Sequence, residues 1–407
     1  MEEKRRLIRR DTRLCCGIAM LRFMYLGNAF MATYYHEKGL SNFDIYGLQV
    51  VLYVASIGSG FALGRLADRR GSKTVMVYGA VINIIQTSLF MFPGSFWGFV
   101  PCLVMTGFYA TAFANSAHVL VDMLVTSLLS KKAAERIYRR FLTSEASFMG
   151  VGYVVGVVCG GVLHALFGMQ APFIAQPAVA IGILVLSWLL YQPEQPGRIL
   201  PKTSRTVWWR LVLGIVRHRQ VSTVMWLCVF TESLALTCFW VIQPFMEGQG
   251  VPRDYFPVAY ACYGMAQIVF ARPVRRLFPW PRFSWTLAVA LAVTGVMAAG
   301  FNSGAGAIIG IFLAVIVPRV ISSRLTSDML RTLLPEERTE RNTETSIVYT
   351  VSTAASAVMG MLFGRLTDRF ELQYCLAILA FVEMLVGALL LARFYRAFAS
   401  SAPSTSA

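Results

Sequence analysis

Long apolar stretches without a charged residue constrain this chain more than any other feature of its sequence. Asp, Glu, Lys and Arg are absent from residues 45–64, 146–193, 283–318 and 345–364. A helix needs about 20 apolar residues to cross a bilayer core of roughly 30 Å, so each stretch is long enough to span a membrane. The second and third stretches are long enough for two helices each, and each holds a Gly/Pro-rich break.

The composition indicates a membrane protein. Hydrophobic residues make up 56% of the 407 residues and charged residues 14%, against about 45–50% and about 25% in soluble domains. This excess excludes a secreted disulfide scaffold, a disordered chain and an ordinary cytosolic enzyme. The net charge of +16 does not indicate nucleic-acid binding, because the basic residues lie between the apolar runs. We therefore predict an all-α integral membrane protein that contacts the lipid bilayer and no nucleic acid.

Twelve spans account for the apolar runs. Their predicted limits are 13–35, 44–64, 74–92, 97–125, 142–167, 171–191, 221–246, 254–272, 283–301, 305–329, 343–364 and 372–393. With both termini cytoplasmic, the predicted outer loops hold only Lys38, Arg253, Arg365 and Arg369 of the 37 Lys and Arg residues, and Arg22 lies inside a span. This distribution obeys the positive-inside rule. We expect a multi-pass protein of the inner (plasma) membrane.

No pattern in the sequence predicts catalysis or a metal site. The eight cysteines lie in or at the ends of predicted helices without metal-ligand spacing, so we expect them to be small apolar packing residues. The sequence contains no Gly-x-x-x-x-Gly-Lys-Ser/Thr loop for a nucleotide. We therefore predict that the protein is not an enzyme and uses no cofactor, with a proton or ion gradient as its driving force.

An internal repeat divides the chain into two halves. The segment that begins Asp122-Met-Leu-Val-Thr recurs at Asp328-Met-Leu-Arg-Thr, close to half a chain length later. A second pair, Gly64-Arg-Leu-Ala-Asp-Arg and Gly364-Arg-Leu-Thr-Asp-Arg, follows spans 2 and 11, on opposite predicted faces of the membrane. Nested inverted repeats produce this arrangement. The predicted domains are an N-terminal six-helix bundle at 1–191, a cytoplasmic loop at 192–220, a C-terminal six-helix bundle at 221–396 and a disordered tail at 397–407.

The loop between spans 2 and 3 resembles the signature of the major facilitator superfamily. It reads Gly64-Arg-Leu-Ala-Asp68-Arg69-Arg70-Gly71-Ser72-Lys73. The family pattern is Gly-x-Leu-x-Asp-Arg-x-Gly-Arg-Lys/Arg, from which this loop departs only at Ser72. The resemblance covers essentially the whole chain, and it implies two pseudo-symmetric six-helix bundles. It also implies a cytoplasmic gating motif made of Gly64, Asp68, Arg69, Gly71 and Lys73.

A carboxylate at an inner helix end is the expected partner of the gating motif. Arg69 is predicted to pair with Asp122, at the inner end of span 4; in the family such a latch stabilises the outward-open state. Span 5 resembles the antiporter motif of the family only in part, because Val157 occupies the proline position. Its glycines at 152, 156 and 160 are still expected to serve close helix packing.

Charged residues inside the bilayer cost a few kcal/mol or more, so they are usually functional or paired. Arg22 in span 1 and Glu232 in span 7 occupy equivalent helices, which line the central cavity in this fold. Glu232 is the predicted proton carrier, and a static Arg22–Glu232 pair is the alternative. Arg319 in span 10 is a third candidate. It is predicted either to bind a substrate anion or Glu232, or to extend its side chain to the inner membrane surface.

Polar side chains complete the predicted cavity. Asn115 and His118 in span 4 and Gln243 in span 7 are the candidates. Glu145 is predicted to be interfacial, near the start of span 5. Glu383 in span 12 is predicted either to face lipid or to be an unusual packing residue, without a role in transport.

We predict a secondary active transporter that works by alternating access between the two bundles. Proton-coupled export of small amphiphilic molecules is the leading hypothesis. Import or exchange of a metabolite or organic anion, which Arg22 and Arg319 would attract, is the alternative. A membrane sensor or scaffold without turnover is the alternative of another class. We expect a monomer whose partner is its small-molecule substrate.

Overall fold

A computed structural model describes residues 2–114, 116–128, 131–192, 217–271, 281–317 and 338–399. All of its regular structure in these ranges is helical. The α-helices are α1 (Glu2–Phe23), α2 (Met31–Glu37), α3 (Asn42–Arg70), α4 (Ser72–Leu89), α5 (Phe96–Ala114), α6 (Ser116–Leu128), α7 (Lys131–Phe167), α8 (Ala171–Leu189), α9 (Arg219–Gly248), α10 (Phe256–Ala271), α11 (Pro281–Phe301), α12 (Gly304–Val317), α13 (Arg338–Thr367) and α14 (Leu372–Ala399). Short 3-10 turns at Asn28–Phe30 and Arg253–Tyr255 precede α2 and α10.

As far as the described residues reach, each predicted span coincides with one helix or with two consecutive helices, and the part of the tenth span after residue 317 lies outside them. In the described ranges, eight helical stretches are long and apolar enough to cross a membrane. The first predicted span, 13–35, is wrong in one respect, because it is not a continuous helix. It contains the end of α1, a turn at Asn28–Phe30 and most of α2.

The chain divides into two compact units. Unit 1 contains Met1–Leu40, Leu48–Leu200 and Val251–Val269, and unit 2 contains Ser41–Gly47, Pro201–Gly250 and Phe270–Ala407. Two short segments, 41–47 and 251–269, thus group with the other half of the sequence. The predicted domain boundaries remain a prediction. Most of the predicted central loop lies outside the described residues, and α14 continues to Ala399, past the predicted start of the tail.

Each unit has its own apolar core. In unit 1, α1, α4, α5, α6 and α7 bury a cluster that includes Ile18, Met76, Phe113 and Phe141. In unit 2, α9, α11 and α14 bury Leu227, Trp285 and Phe394. Large apolar side chains also cover much of the outside, as the exposed Trp97, Trp188 and Phe381 illustrate. Helices that are apolar on all sides are typical of a membrane protein.

Candidate functional site

The first membrane span breaks where its backbone meets a polar side chain of α8. Helix α1 ends at Phe23, and the helix resumes only at Met31 after the turn at Asn28–Phe30. The Leu26 N–H donates to Oε1 of Gln176 at 2.8 Å, and Nε2 of Gln176 donates to the Met24 carbonyl at 3.3 Å. One amide thus pairs two of the backbone groups that the break leaves without a helical partner, as buried backbone in a membrane requires.

Glycines of α7 allow this break to pack closely. A Cβ atom at Gly152 would clash with the Met20 carbonyl, and one at Gly160 would clash with the Leu26 carbonyl. A Cβ at Gly156 would lie 2.9 Å from the Met24 backbone. The prediction that these glycines serve close helix packing is confirmed, and their neighbour is the broken span itself.

Arg22 lies in the last turn of α1, next to the break. Its guanidinium carbon is 5.0 Å from the ring centre of Phe113 and 5.8 Å from that of Tyr109, so the charge rests on two aromatic faces. Its Nε is buried without a hydrogen-bond partner among the described residues. An unpaired guanidinium N–H at this depth favours an anionic or carbonyl-bearing ligand.

His118 and Glu145 form a pair elsewhere in unit 1, in which the carboxyl group is buried and the imidazole is partly exposed. The His118 Nε2 lies 2.6 Å from Oε2 of Glu145, whose side chain is only 7% exposed. The His118 ring also packs edge-to-face on Phe141, with the ring centres 5.9 Å apart. Glu145 does not lie near a helix start as predicted, because α7 begins at Lys131 and runs for 37 residues, whereas its interfacial position remains a prediction. The feature of the sequence that could have indicated this pair is Glu145, an isolated acidic residue in a predicted span.

In unit 2, the predicted cavity residues lie on α9. Glu232 is half-buried and interacts with another residue. Gln243 is 3% exposed and immediately precedes Pro244, which lies inside the helix. Nearby, the hydroxyls of Ser233 and Ser356 are 3.2 Å apart. Because Arg22 belongs to unit 1 and Glu232 to unit 2, the pairing of these two residues remains a prediction.

Glu383 is buried in unit 2. Its exposed fraction is 5%, so a lipid-facing position is wrong, whereas the alternative of a packing feature agrees with the structure. Its Oε2 has no hydrogen-bond partner in the described part of the chain. Two other candidates, Arg319 and Asn115, lie outside the described residues. The described residues contain no group of His, Cys, Asp and Glu that could hold a metal.

The gating motif ends α3 and begins α4. Gly71 is the N-cap residue that precedes α4, and its φ of +88° favours glycine. The Lys73 N–H donates to Oε1 of Gln192 at 2.9 Å. Arg69 is exposed and Asp122 half-buried, and the described side chains show no ion pair between them. The side chain of Asp68 lies outside the described set, so the latch remains a prediction.

The second copy of the motif makes contacts that the sequence did not assign. The Asp368 carboxylate accepts hydrogen bonds from the Asn42 and Phe43 N–H groups at 2.9 and 3.0 Å, at the start of α3. Arg365 lies over the Phe43 ring at 5.6 Å. A Cβ at Gly364 would lie 3.0 Å from the Asn42 carbonyl oxygen. The repeat of the motif was the sequence signal that could have identified this contact.

Comparisons with known proteins agree with this architecture. A multidrug resistance efflux pump PmrA homolog of Lactococcus lactis is 24% identical over 173 residues, which cover 41% of this chain and 40% of that protein. Multidrug resistance protein MdtG of Citrobacter koseri is 24% identical over 135 residues, 33% of this chain and 31% of that protein. The matched stretches thus span well under half of each relative.

Solved structures show the same fold. The nucleoside transporter NupG superposes with a TM-score of 0.74 at 10% identity, covering 95% of this chain and 99% of that one. A bacterial homolog of the human lysosomal transporter Spinster gives a TM-score of 0.72 at 12% identity, covering 99% of both chains. The family profile of the Major Facilitator Superfamily matches residues 14–322. This chain belongs to the major facilitator superfamily, a family of multi-pass membrane transporters.

Proposed function

We propose that the protein exports small amphiphilic compounds in exchange for protons, by alternating access between two six-helix bundles. The observation that carries this proposal is the set of ionisable side chains placed within membrane-spanning helices of both units. Arg22 and the His118–Glu145 pair lie in unit 1, and Glu232 lies in unit 2. Such side chains cost free energy in a bilayer and are retained mainly where they bind ions or substrate.

The names of the matched relatives support the export direction. Both are multidrug efflux or resistance proteins, although the matched stretches cover only parts of them. The bacterial inner membrane and cytoplasmic termini belong to the same proposal, as does a monomeric state. The distribution of Lys and Arg between the predicted loops supports the cytoplasmic position of the termini.

Two groups are candidates for carrying the proton. Glu232 is a half-buried carboxylate on α9. The His118–Glu145 pair offers a second route, because a buried carboxylate and an imidazole 2.6 Å apart can share and release a proton. A proton carrier must lose its function when its charge can no longer change.

The test uses inside-out vesicles that hold a pH gradient, challenged with a panel of cationic drugs, amino acids and organic acids. One compound class should collapse the gradient. Glu232→Gln should abolish that response without changing the amount of folded protein. Glu247→Gln is the matched control, since Glu247 is an exposed acid near the end of the same helix.

The outcome for Glu145→Gln distinguishes the two carriers. If Glu232→Gln retains coupled flux and Glu145→Gln loses it, the His118–Glu145 pair carries the proton. If both variants keep full proton-coupled flux, neither group is the carrier. If no compound in the panel moves protons through the unmodified protein, proton-coupled export of these compounds is wrong.

Import or exchange of an organic anion is a second candidate function. The observation that favours it is the buried, unpartnered Nε of Arg22 beside Tyr109 and Phe113. An exchanger would show counterflow of a labelled organic acid without a pH gradient. Arg22→Gln should then abolish counterflow, and Arg22→Lys should leave part of it, because lysine keeps the charge and loses the planar fork.

A further inference from the structure

Four arginines line one cavity at the N-terminal ends of α1 and α7. The cavity has a volume of about 500 Å³ and is lined by Arg9 and Arg13 of α1 and by Arg136 and Arg140 of α7. Each pair has i, i+4 spacing, which places its two side chains on one face of the helix. The two helices therefore direct four guanidinium groups into one space, entirely within unit 1.

No described side chain balances this charge. None of the four arginines forms an ion pair among the described residues, whereas Arg10, on the same helix, pairs with Asp11 at 2.9 Å. Like charges at i, i+4 destabilise a helix, and here two such pairs share one cavity. A bound anion would remove this repulsion.

A buried carboxylate anchors the segment of α1 that carries Arg9 and Arg13. Asp11 is completely buried and accepts a hydrogen bond from the Tyr191 N–H at 2.8 Å, just after the end of α8. Its other oxygen accepts from Arg10. This anchor fixes the backbone of α1 between Arg9 and Arg13, the two arginines that α1 contributes to the cavity.

The rest of the cavity lining consists of aliphatic side chains and one polar group that has no hydrogen-bond partner among the described residues. Ile8, which is 3% exposed, and Ile137 provide aliphatic surface. The hydroxyl oxygen of Thr12 is buried in the same lining without a hydrogen-bond partner among the described residues. Guanidinium groups, a hydroxyl and an aliphatic floor suit a phosphate group attached to an apolar body.

We propose that this cavity binds a phosphate-bearing anion, supplied either by the headgroup of an anionic phospholipid or by a soluble phosphate. Arg9, Arg13, Arg136 and Arg140 chelate the phosphate oxygens. The positive-inside prediction places the cavity on the cytoplasmic side, where basic pockets meet anionic headgroups. The proposal is independent of the substrate, the direction of transport and the coupling ion.

The experiment measures lipid binding to the purified full-length protein in neutral detergent. Phosphatidylglycerol or phosphatidylcholine is titrated in, and retained lipid is counted by native mass spectrometry. We expect the unmodified protein to prefer phosphatidylglycerol. R13Q/R140Q, which removes one arginine from each helix, should weaken phosphatidylglycerol binding about thirtyfold, since each arginine near an anionic surface contributes about 1 kcal/mol.

A matched double variant controls for the loss of net charge. R65Q/R70Q removes two exposed arginines from the same predicted side of the membrane, neither of which lines this cavity, and should bind phosphatidylglycerol as the unmodified protein does. Unit 2 has a second arginine-lined cavity. None of the variants changes its residues, so any lipid that it binds is the same in every measurement. This second cavity is lined by Arg217, Arg219, Arg393 and Arg396.

Competition by inorganic phosphate at constant ionic strength identifies the source of the ligand. Displacement of phosphatidylglycerol by millimolar phosphate, but not by chloride, supports a site for soluble phosphate. Retention of the lipid under those conditions supports a headgroup site. The proposal is overturned if phosphatidylcholine binds as well as phosphatidylglycerol, or if R13Q/R140Q binds like R65Q/R70Q. Should R13Q/R140Q fail to fold, each single variant should still weaken binding about fivefold.

Discussion

The two copies of the Gly-Arg-Leu-x-Asp-Arg motif have nearly the same sequence and different surroundings. In the first copy, Gly64 is exposed, and no atom of another described element lies within 4 Å of where its Cβ would be. In the second copy, Gly364 is buried against Asn42, Phe43 and Tyr46. A short motif therefore sets which contacts are available, and the neighbouring helix decides which of them form.

The second copy contacts the first turn of α3. Ser41 and Asp44 already form a reciprocal cap there, in which the Ser41 hydroxyl accepts from the Asp44 N–H and the Asp44 carboxylate accepts from the Ser41 N–H. Asp368 adds an acceptor for the two N–H groups between them. Every N–H from residue 41 to residue 44 thus has a partner, and a negative charge faces the positive end of the helix.

The largest difference between the copies should come from filling the glycine positions. Gly364→Leu should destabilise the protein by about 1–3 kcal/mol, because the side chain would collide with the Asn42 carbonyl and the Tyr46 ring. Gly64→Leu should change the free energy of unfolding far less, because its Cβ enters open space. Unfolding by dodecyl sulfate titration measures both variants. Equal effects of the two substitutions would contradict the different packing of the copies.

A smaller effect should follow from the loss of the acceptor at Asp368. Asp368→Ala should cost about 1 kcal/mol of unfolding free energy, the usual value of an N-terminal cap. Asp368→Asn should cost less, because the amide keeps one acceptor oxygen. Glu371→Gln, an exposed acid three residues away, is the control in the same titration. If Asp368→Ala matches that control, the contact with α3 contributes nothing.

The smallest effect should come from the arginines. Arg365 lies over the Phe43 ring, and exposed cation–π contacts contribute about 0.5–1 kcal/mol, so Arg365→Gln should lose that amount. The corresponding Arg65→Gln of the first copy should be neutral, since Arg65 is exposed at the surface of α3. A double variant of Arg365 and Phe43 should lose no more than the larger single effect. An additive loss would mean that the two side chains act separately.

The sequence predicted the positions of the helices well, because apolar length is a local property. It did not predict the break in the first span, since the side chain that stabilises it, Gln176, belongs to another helix. The burial of Glu145 was missed for a similar reason: its partner His118 lies on α6 and the true start of α7 is far upstream. The motif was recognised twice, but its sequence alone could not distinguish a packed copy from an open one.

The broken first span has a consequence for the order in which the protein is made. Synthesis begins at the N-terminus, so the first span enters the membrane about 150 residues before Gln176 exists. Until then, an unpaired Leu26 N–H and Met24 carbonyl would cost several kcal/mol in the bilayer core. An unbroken helix is the cheaper form during this interval. The break is therefore made when α8 arrives, and the nascent first span differs in shape from the mature one.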